Sequence, residues 1–433
     1  MVATSTFKMK APNVLDRLDP FHGGKKERER CLSTGRLAPF LLPCLCLTTI
    51  LSLFLYFPNP FEAVSKREIQ QKGAPIVKPP EGNAILNCNL YEGRWIQYRR
   101  DFNYKNSSCI PEARNCILHG RTDRDFLNWR WKPYACNLPK FDPKIFLDMV
   151  RGNKMAFIGD SVSMNQVESL VCLLSKEEVP KFVYKDSAEQ NRIWHFPEHD
   201  FILMNLWSRF LVAAEQRMIN GSLSAAYNLQ IDKVDEDWTA NLQTIDYVVI
   251  SNGLWFFRQI YLYKGDTVVG CVDCEEPNVT KVSPSGAIQM ALRTALVYIN
   301  GCKECRGIVT VVRTFSPTHF EHGSWDTGGI CNRTKPSDER QIIWVGEPWN
   351  IRKIQVEETE RMGKEGKEQG KSFVAMDVTK AMLMRPDGHP GDYWGNLRNK
   401  DFRDCLHWCL PGPIDTWNEF FMAILEIETG LVA

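Results

Sequence analysis

Ser161, Asp404 and His407 are residues of the types that together perform acyl chemistry. A serine hydroxyl is a poor nucleophile until a base takes its proton. Ser161 closes the tripeptide Gly159-Asp160-Ser161, between a short apolar run and a stretch with helical spacing. Such a turn lifts a serine above a sheet. It also aims the N–H groups and positive dipole end of the following helix at any anion formed there. Taken alone, the tripeptide is more often a plain helix N-cap. Asp404 and His407 are three residues apart, a spacing that puts both on one face of a helical turn. A carboxylate so placed fixes the imidazole tautomer and stabilises its charged form, as in a serine triad.

Other reactive residue types carry weaker expectations. The Cys271/Cys274 and Cys302/Cys305 pairs have the spacing of a four-thiolate zinc site. In an oxidising compartment they serve instead as disulfides, so no metal is expected. His195 and His199 flank Pro197, which argues against a shared helix face and hence a metal pair. His389 sits in a Pro-flanked turn and is expected to be structural, whereas His319 and His322 fall in a loop that could reach the site. Core packing is the expected role of Trp255 and Trp325, with stacking on sugar as the alternative. The cluster Arg121, Arg124, Trp129, Arg130 and Trp131 suits sugar stacking or packing beneath a stapled loop equally well.

The elements that must position these residues alternate. Apolar strand candidates fall at 154–158, 247–251, 307–313 and 373–378. Helical spacing marks 162–174, 288–299 and 354–368. Strands separated by helices predict an α/β fold with a doubly wound, mostly parallel sheet. Such sheets take ligands beyond the carboxyl ends of their strands, which is where the 159–161 turn lies. A Cys-rich segment of little periodicity, from Cys88 to about residue 140, predicts a minor lobe.

Charge and hydropathy set the expected topology. The 433 residues carry a formal net charge of +1, too balanced for a general nucleic-acid-binding field. Residues 1–36 are nevertheless +4 and the remainder −3. Residues 37–57 (LAPFLLPCLCLTTILSLFLYF) hold no charge and are long enough to span a bilayer. Basic residues on their N-terminal side predict a cytosolic tail at 1–36, a signal anchor at 37–57, a stem at 58–85 and a lumenal catalytic domain at 86–433. Twelve of the 15 cysteines and all four sequons, at Asn106, Asn220, Asn278 and Asn332, follow the span, as disulfides and glycosylation in a lumen require.

The GDS turn combined with the C-terminal DCLHWCLPG resembles the plant trichome-birefringence-like family, Golgi polysaccharide O-acetyltransferases related to GDSL/SGNH esterases. The resemblance covers residues 86–428 and includes LNWRWKP at 127–133, FIGDSVSMNQVESLVCLLS at 157–175, RTFSPTHFEHGSWDTGGICNRT at 313–334 and RPDGHP at 385–390. Within the family, IWHFPEHDF at 193–201 and GCVDCEEPNVT at 270–280 look most like the xyloglucan-acetylating branch. The mannan-acetylating members are the next most similar.

The resemblance implies an SGNH-hydrolase-like fold, Ser161 as nucleophile, His407 as general base and Asp404 as its orienting partner. It places the oxyanion site at the Ser161 N–H and its neighbours, with Gly159 and Asp160 lining it and Asn252 as a side-chain donor. It implies disulfides Cys88–Cys136, Cys109–Cys172, Cys116–Cys409 and Cys331–Cys405, leaving Cys271, Cys274, Cys302 and Cys305 to pair among themselves. The chain departs from many relatives at Met164 and Leu254, where they carry Arg and His. The expected activity is acetyl transfer to a wall polysaccharide, xyloglucan first, through an acetyl-serine. No bound cofactor is expected. The donor is acetyl-CoA or another lumenal acetyl carrier, supplied by a membrane protein, and the expected location is the Golgi membrane in type II orientation. An acetyl-esterase and a non-catalytic polysaccharide-binding module are the rival readings.

Overall fold

A computed structural model describes residues 88–99, 109–219, 221–395 and 403–430. The 37–57 span, the tail, the stem and the Asn106 and Asn220 sequons lie outside these residues. Among the described residues, no helix is long and apolar enough to cross a membrane.

The described chain opens with a two-stranded ribbon, β1 (Gly93–Gln97) and β2 (Trp129–Pro133), then helix α1 (Pro143–Met149). The first central strand, β3 (Lys154–Gly159), leads through Asp160 into α2 (Ser161–Leu174). Strands β4 (Lys181–Lys185), β5 (Arg192–Phe196) and β6 (Phe201–Trp207) follow, then β7 (Val212–Ile219), β8 (Ser222–Val234) and α3 (Glu236–Thr239). Next come β9 (Tyr247–Ser251), β10 (Ile260–Lys264), β11 (Thr267–Val272), α4 (Pro284–Gly301) and β12 (Val309–Arg313). The described chain ends with α5 (Glu347–Lys367), β13 (Ser372–Met376), α6 (Thr379–Leu383) and α7 (Asp415–Glu428).

The main sheet has the order β13-β12-β9-β3-β6-β5-β4. From β13 to β6 every pairing is parallel, whereas β5 and β4 join antiparallel at one edge. The sheet is therefore mostly parallel, as the alternation of elements predicts, and all four expected strands lie in its parallel part. Side chains alternate between its faces. Phe157, Val249 and Val311 pack in one core with Val167 and Leu170 of α2 and Phe420 and Phe421 of α7. Helices α4 and α5 pack on one another, and α5 also lies against β12 and β13. Helices thus cover the sheet on both faces, which is why its central strands read as unbroken apolar runs.

A second sheet, ordered β11-β10-β8-β7, was not expected. Its strands are half-exposed and polar on one side, so they lack the continuous apolar signal that marks a doubly buried strand.

Four disulfides match the family pairing, Cys88–Cys136, Cys109–Cys172, Cys116–Cys409 and Cys331–Cys405, and the four cysteines left open close as Cys271–Cys274 and Cys302–Cys305. Asn278 and Asn332, the described sequons, are exposed. In the Cys-rich segment, Trp131 is buried and donates Nε1–H to the Leu90 carbonyl. Arg121 is buried as well and bonds the carbonyls of His389 and Asp387. For these two the cluster serves packing. Met164 and Leu254, the family departures, also sit in the core, Met164 buried and Leu254 half-buried.

Candidate active site

Ser161 is the first residue of α2, not its cap. Asp160 holds the N-cap, with extended backbone and its Oδ1 accepting from the Val162 N–H at 3.0 Å. This releases the serine hydroxyl for chemistry. As the first helical residue, Ser161 has an N–H with no partner inside its helix. That N–H lies where the positive end of α2 favours an oxyanion.

The tight turn depends on Gly159. A Cβ there would lie 1.9 Å from the Ser251 carbonyl oxygen, so β3 and β9 can pair this closely only at glycine. The Gly159 carbonyl accepts from Ser208 N–H at 2.8 Å. Burial raises the Asp160 carboxyl above its ordinary value, against the opposing charge of Arg313. Burial in turn lowers Arg313 to about 10, with Asp160 pulling the other way.

Asn252 does not supply the expected oxyanion donor. Its Nδ2 hydrogens go to the carbonyls of Ser208 at 3.0 Å and Arg209 at 2.6 Å. The side chain stitches the end of β9 to the loop after β6, and Gly159 and Asp160 shape the turn. Of the expected oxyanion set, the Ser161 N–H stands at the positive end of α2.

His407 meets Ser161 from the far end of the sequence. Its Nε2 lies 2.8 Å from Ser161 Oγ and its Nδ1 lies 2.9 Å from Asp404 Oδ2. The Asp404–His407 pair forms, but not on a helical turn. Asp404 Oδ1 instead accepts the N–H groups of Leu406 at 3.1 Å and His407 at 2.9 Å, folding the segment around the carboxylate. Short polar side chains favour such turns.

Asp404 is fully buried. Burial pushes its carboxyl up, but the charge and hydrogen bonds of His407 and the charge of Arg114 outweigh that and hold it well below its ordinary value. Arg114 Nη1 lies 3.3 Å from Asp404 Oδ2. Its Nε lies 3.8 Å from Glu168, which also meets Arg192 at 3.3 Å.

Three supports of this segment come from elsewhere in the chain. Arg114 comes from the Cys-rich lobe, where no periodicity marks it. Asn165, one turn beyond Ser161 on α2, accepts the Trp408 N–H at 2.7 Å and donates to the Trp408 carbonyl at 3.3 Å. Ser169, one turn further, donates to Asp415 at 2.6 Å. Ser161, Asn165 and Ser169 fall four apart, so α2 presents Ser161 and the two clamps along one line. That polar row was readable in the sequence.

The third support is a histidine pair. His389 Nδ1 lies 2.6 Å from the His407 carbonyl, His389 Nε2 lies 2.7 Å from His319 Nδ1, and His319 Nε2 lies 3.1 Å from the Leu383 carbonyl. Burial lowers His319 to about 4, and burial and the His319 charge take His389 well below its ordinary value. Two neutral imidazoles carry two N–H groups for three spans. The His407 carbonyl can only accept, so its contact is a hydrogen bond in the tautomer that carries a proton on His389 Nδ1. His319 thus reaches the site, through His389, whereas His322 is exposed. His195 and His199 face Asp200 and Glu178 separately.

Among the described residues no cluster of His, Cys, Asp and Glu has metal-binding geometry. A serine relayed through histidine to a buried carboxylate, at the positive end of a helix, is equipped for acyl transfer.

Comparison with known proteins agrees. Residues 138–424 match the model of the PC-Esterase family, described as a GDSL/SGNH-like acyl-esterase family found in Pmr5 and Cas1p. Residues 86–137 match the PMR5 N-terminal domain. The chain is 53% identical to xyloglucan O-acetyltransferase 4 of Populus trichocarpa, over 97% of this chain and 98% of that protein. It is 46% identical to xyloglucan O-acetyltransferase 2 of Arabidopsis thaliana, over 93% and 96%. It is 39% identical to protein trichome birefringence-like 20 of Arabidopsis thaliana, over 78% and 72%. The chain therefore belongs to the PC-esterase family of GDSL/SGNH-like enzymes, with a PMR5 N-terminal domain ahead of the catalytic fold.

Proposed function

We propose that this chain is a Golgi polysaccharide O-acetyltransferase that acetylates hydroxyls of xyloglucan through an acetyl-Ser161 intermediate. The observation that carries the reading is the unbroken Ser161–His407–Asp404 hydrogen-bond relay. The names of the relatives supply the acceptor.

In the first half-reaction His407 Nε2 takes the Ser161 proton as Oγ bonds to the acetyl carbon of the donor. Collapse of the tetrahedral intermediate expels the donor's leaving group, which takes the proton from His407. In the second, a sugar hydroxyl gives its proton to His407 and bonds to the acetyl carbon. The Ser161–acyl bond then breaks, and the proton returns to Oγ. The Ser161 N–H at the start of α2 stabilises each oxyanion, a donor role worth about 3–4 kcal/mol in serine enzymes. The donor is acetyl-CoA or a lumenal acetyl carrier delivered by a membrane protein, and the 37–57 anchor holds the head on the lumenal side.

The test incubates the purified chain with acetyl-CoA or a small acetyl ester and xyloglucan, mannan, xylan and pectin oligosaccharides. Products are read by NMR and mass spectrometry. The expected result is acetylated xyloglucan oligosaccharide from wild type and none from Ser161→Ala. Wild-type transfer rates in folded Ser161→Ala would overturn the mechanism. Acetate release with no glycan ester would make the enzyme an esterase.

A further inference from the structure

The chain from His319 to Cys331 forms a hairpin fastened at both ends to the backbone that carries the triad. His319 N–H donates to the Cys405 carbonyl at 3.1 Å, and Cys331 is disulfide-bonded to Cys405. Between these ends, Glu321 and Ile330 exchange backbone hydrogen bonds at 2.7 and 2.9 Å. Above that bridge the neck is tight, because a Cβ on Gly329 would lie 2.8 Å from the Gly323 backbone. The hairpin is a fixed arm based beside Asp404.

Its tip carries Trp325, which is 54% exposed. Core packing, the sequence expectation, is therefore wrong for Trp325. The expectation fits Trp255, whose ring meets Trp207, Phe210 and Tyr227 edge-on. At the tip, the Arg258 guanidinium lies 5.6 Å from the Trp325 ring and 4.4 Å from the Trp255 ring. Gly159 pairs with Trp207 on one side and Ser251 on the other. Trp207, at the end of β6, and Trp255, just after β9, follow the two strands that flank β3, and their rings meet at 6.5 Å. The rings and guanidinium of Trp207, Trp255, Arg258 and Trp325 thus follow one another from the end of β6 to the hairpin tip, with Phe257, 43% exposed, beside Arg258.

We propose that Trp325 and Arg258 form the acceptor subsite, with a pyranose ring of the polysaccharide lying on the indole and its hydroxyls accepting from the guanidinium. The proposal rests on the reading of the enzyme as a glycan acetyltransferase. A single exposed indole is ordinary on a protein surface. This one is held by a disulfide, a backbone bridge and a tight glycine neck, on an arm based beside Asp404, next to a cation with several donors. An indole face offers apolar contact with little conformational entropy to lose, and a neighbouring guanidinium supplies directional bonds, the usual make-up of a ligand site.

The experiment measures kcat and KM for a xyloglucan-derived oligosaccharide in wild type, Trp325→Ala, Trp325→Phe and Arg258→Gln, with calorimetric binding of the same oligosaccharide to each. Trp325→Ala is expected to raise KM about tenfold, the equivalent of about 1.4 kcal/mol, with kcat changed less than about threefold. Trp325→Phe should fall between, and Arg258→Gln should raise KM by a similar factor. An unchanged KM and unchanged binding in folded Trp325→Ala would overturn the subsite. Were Trp325→Ala not to fold, Trp325→Phe and Arg258→Gln decide on the same criterion. If wild type acetylates no glycan, the acetyltransferase reading fails, and calorimetry still decides the subsite. Binding lost in the variants supports it, whereas equal binding or no wild-type binding overturns it.

Discussion

Arg114, from the Cys-rich N-terminal segment, sets its Nη1 3.3 Å from Oδ2 of Asp404, 290 residues further along the chain. The lobe ahead of the catalytic fold is therefore part of the site's electrostatics. A folded-state carboxyl held below its ordinary value contributes stability that is complete above the unfolded value of 3.8 and is lost as pH falls through the lower folded value. Arg114→Gln removes one cause of that depression. The acid limb of a Tm-versus-pH curve should move to higher pH in the variant, and stability at pH 7 should fall by about 2 kcal/mol. Arg114→Lys should restore part of both. An acid limb identical to wild type would show that Arg114 does not hold the Asp404 charge.

Asp404→Asn is expected to keep the fold of the turn, since the amide oxygen can still accept from Leu406 and His407 N–H. It removes the acceptor that fixes the His407 tautomer. In serine enzymes that change lowers kcat by about 10⁴-fold, and the same order is expected here. Turnover near wild type would remove Asp404 from the relay.

Asn165 and His389 hold backbone groups on either side of the bond joining His407 to Trp408. Asn165→Ala and His389→Leu each strand a buried backbone group. Each should cost about 1–3 kcal/mol in denaturant unfolding. Both should lower kcat more than they raise KM, because they misplace the base without touching the acceptor subsite. A KM effect alone would contradict that role.

Gly159→Ala forces a methyl group into the Ser251 carbonyl, so β3 and β9 must separate or the turn must shift. Overpacking of this kind costs about 1–3 kcal/mol. The accompanying displacement of Ser161 should reduce labelling by a fluorophosphonate serine probe by at least about tenfold. A variant as stable and as reactive as wild type would show that the tight pairing is not needed.

Short-range patterns carried much of the design. The apolar runs at β3, β9, β12 and β13 and the helical spacing of α2, α4 and α5 were legible because burial on both faces of a parallel sheet leaves an unbroken apolar signature. The Gly159-Asp160-Ser161 turn and the Asp404–His407 spacing were legible because each is local. Asn165 and Ser169 could have been read from their four-residue spacing from Ser161. Other features had no local signal. The second sheet is half-exposed, the N-cap passes from Ser161 to Asp160, and Asn252 turns its amide to the 208–209 carbonyls instead of the oxyanion site. The contacts of Arg114 with Asp404 and of His389 with the His407 carbonyl join segments whose proximity no periodicity encodes. The exposure of Trp325 depends on a hairpin closed by distant Cys405. The sequence determined which residues have the chemistry and which strand ends can carry it. The tertiary structure decided which groups complete their charges and hydrogen bonds, because burial of Asp404 and His389 leaves those valences to be met only by whatever the fold brings within about 3 Å.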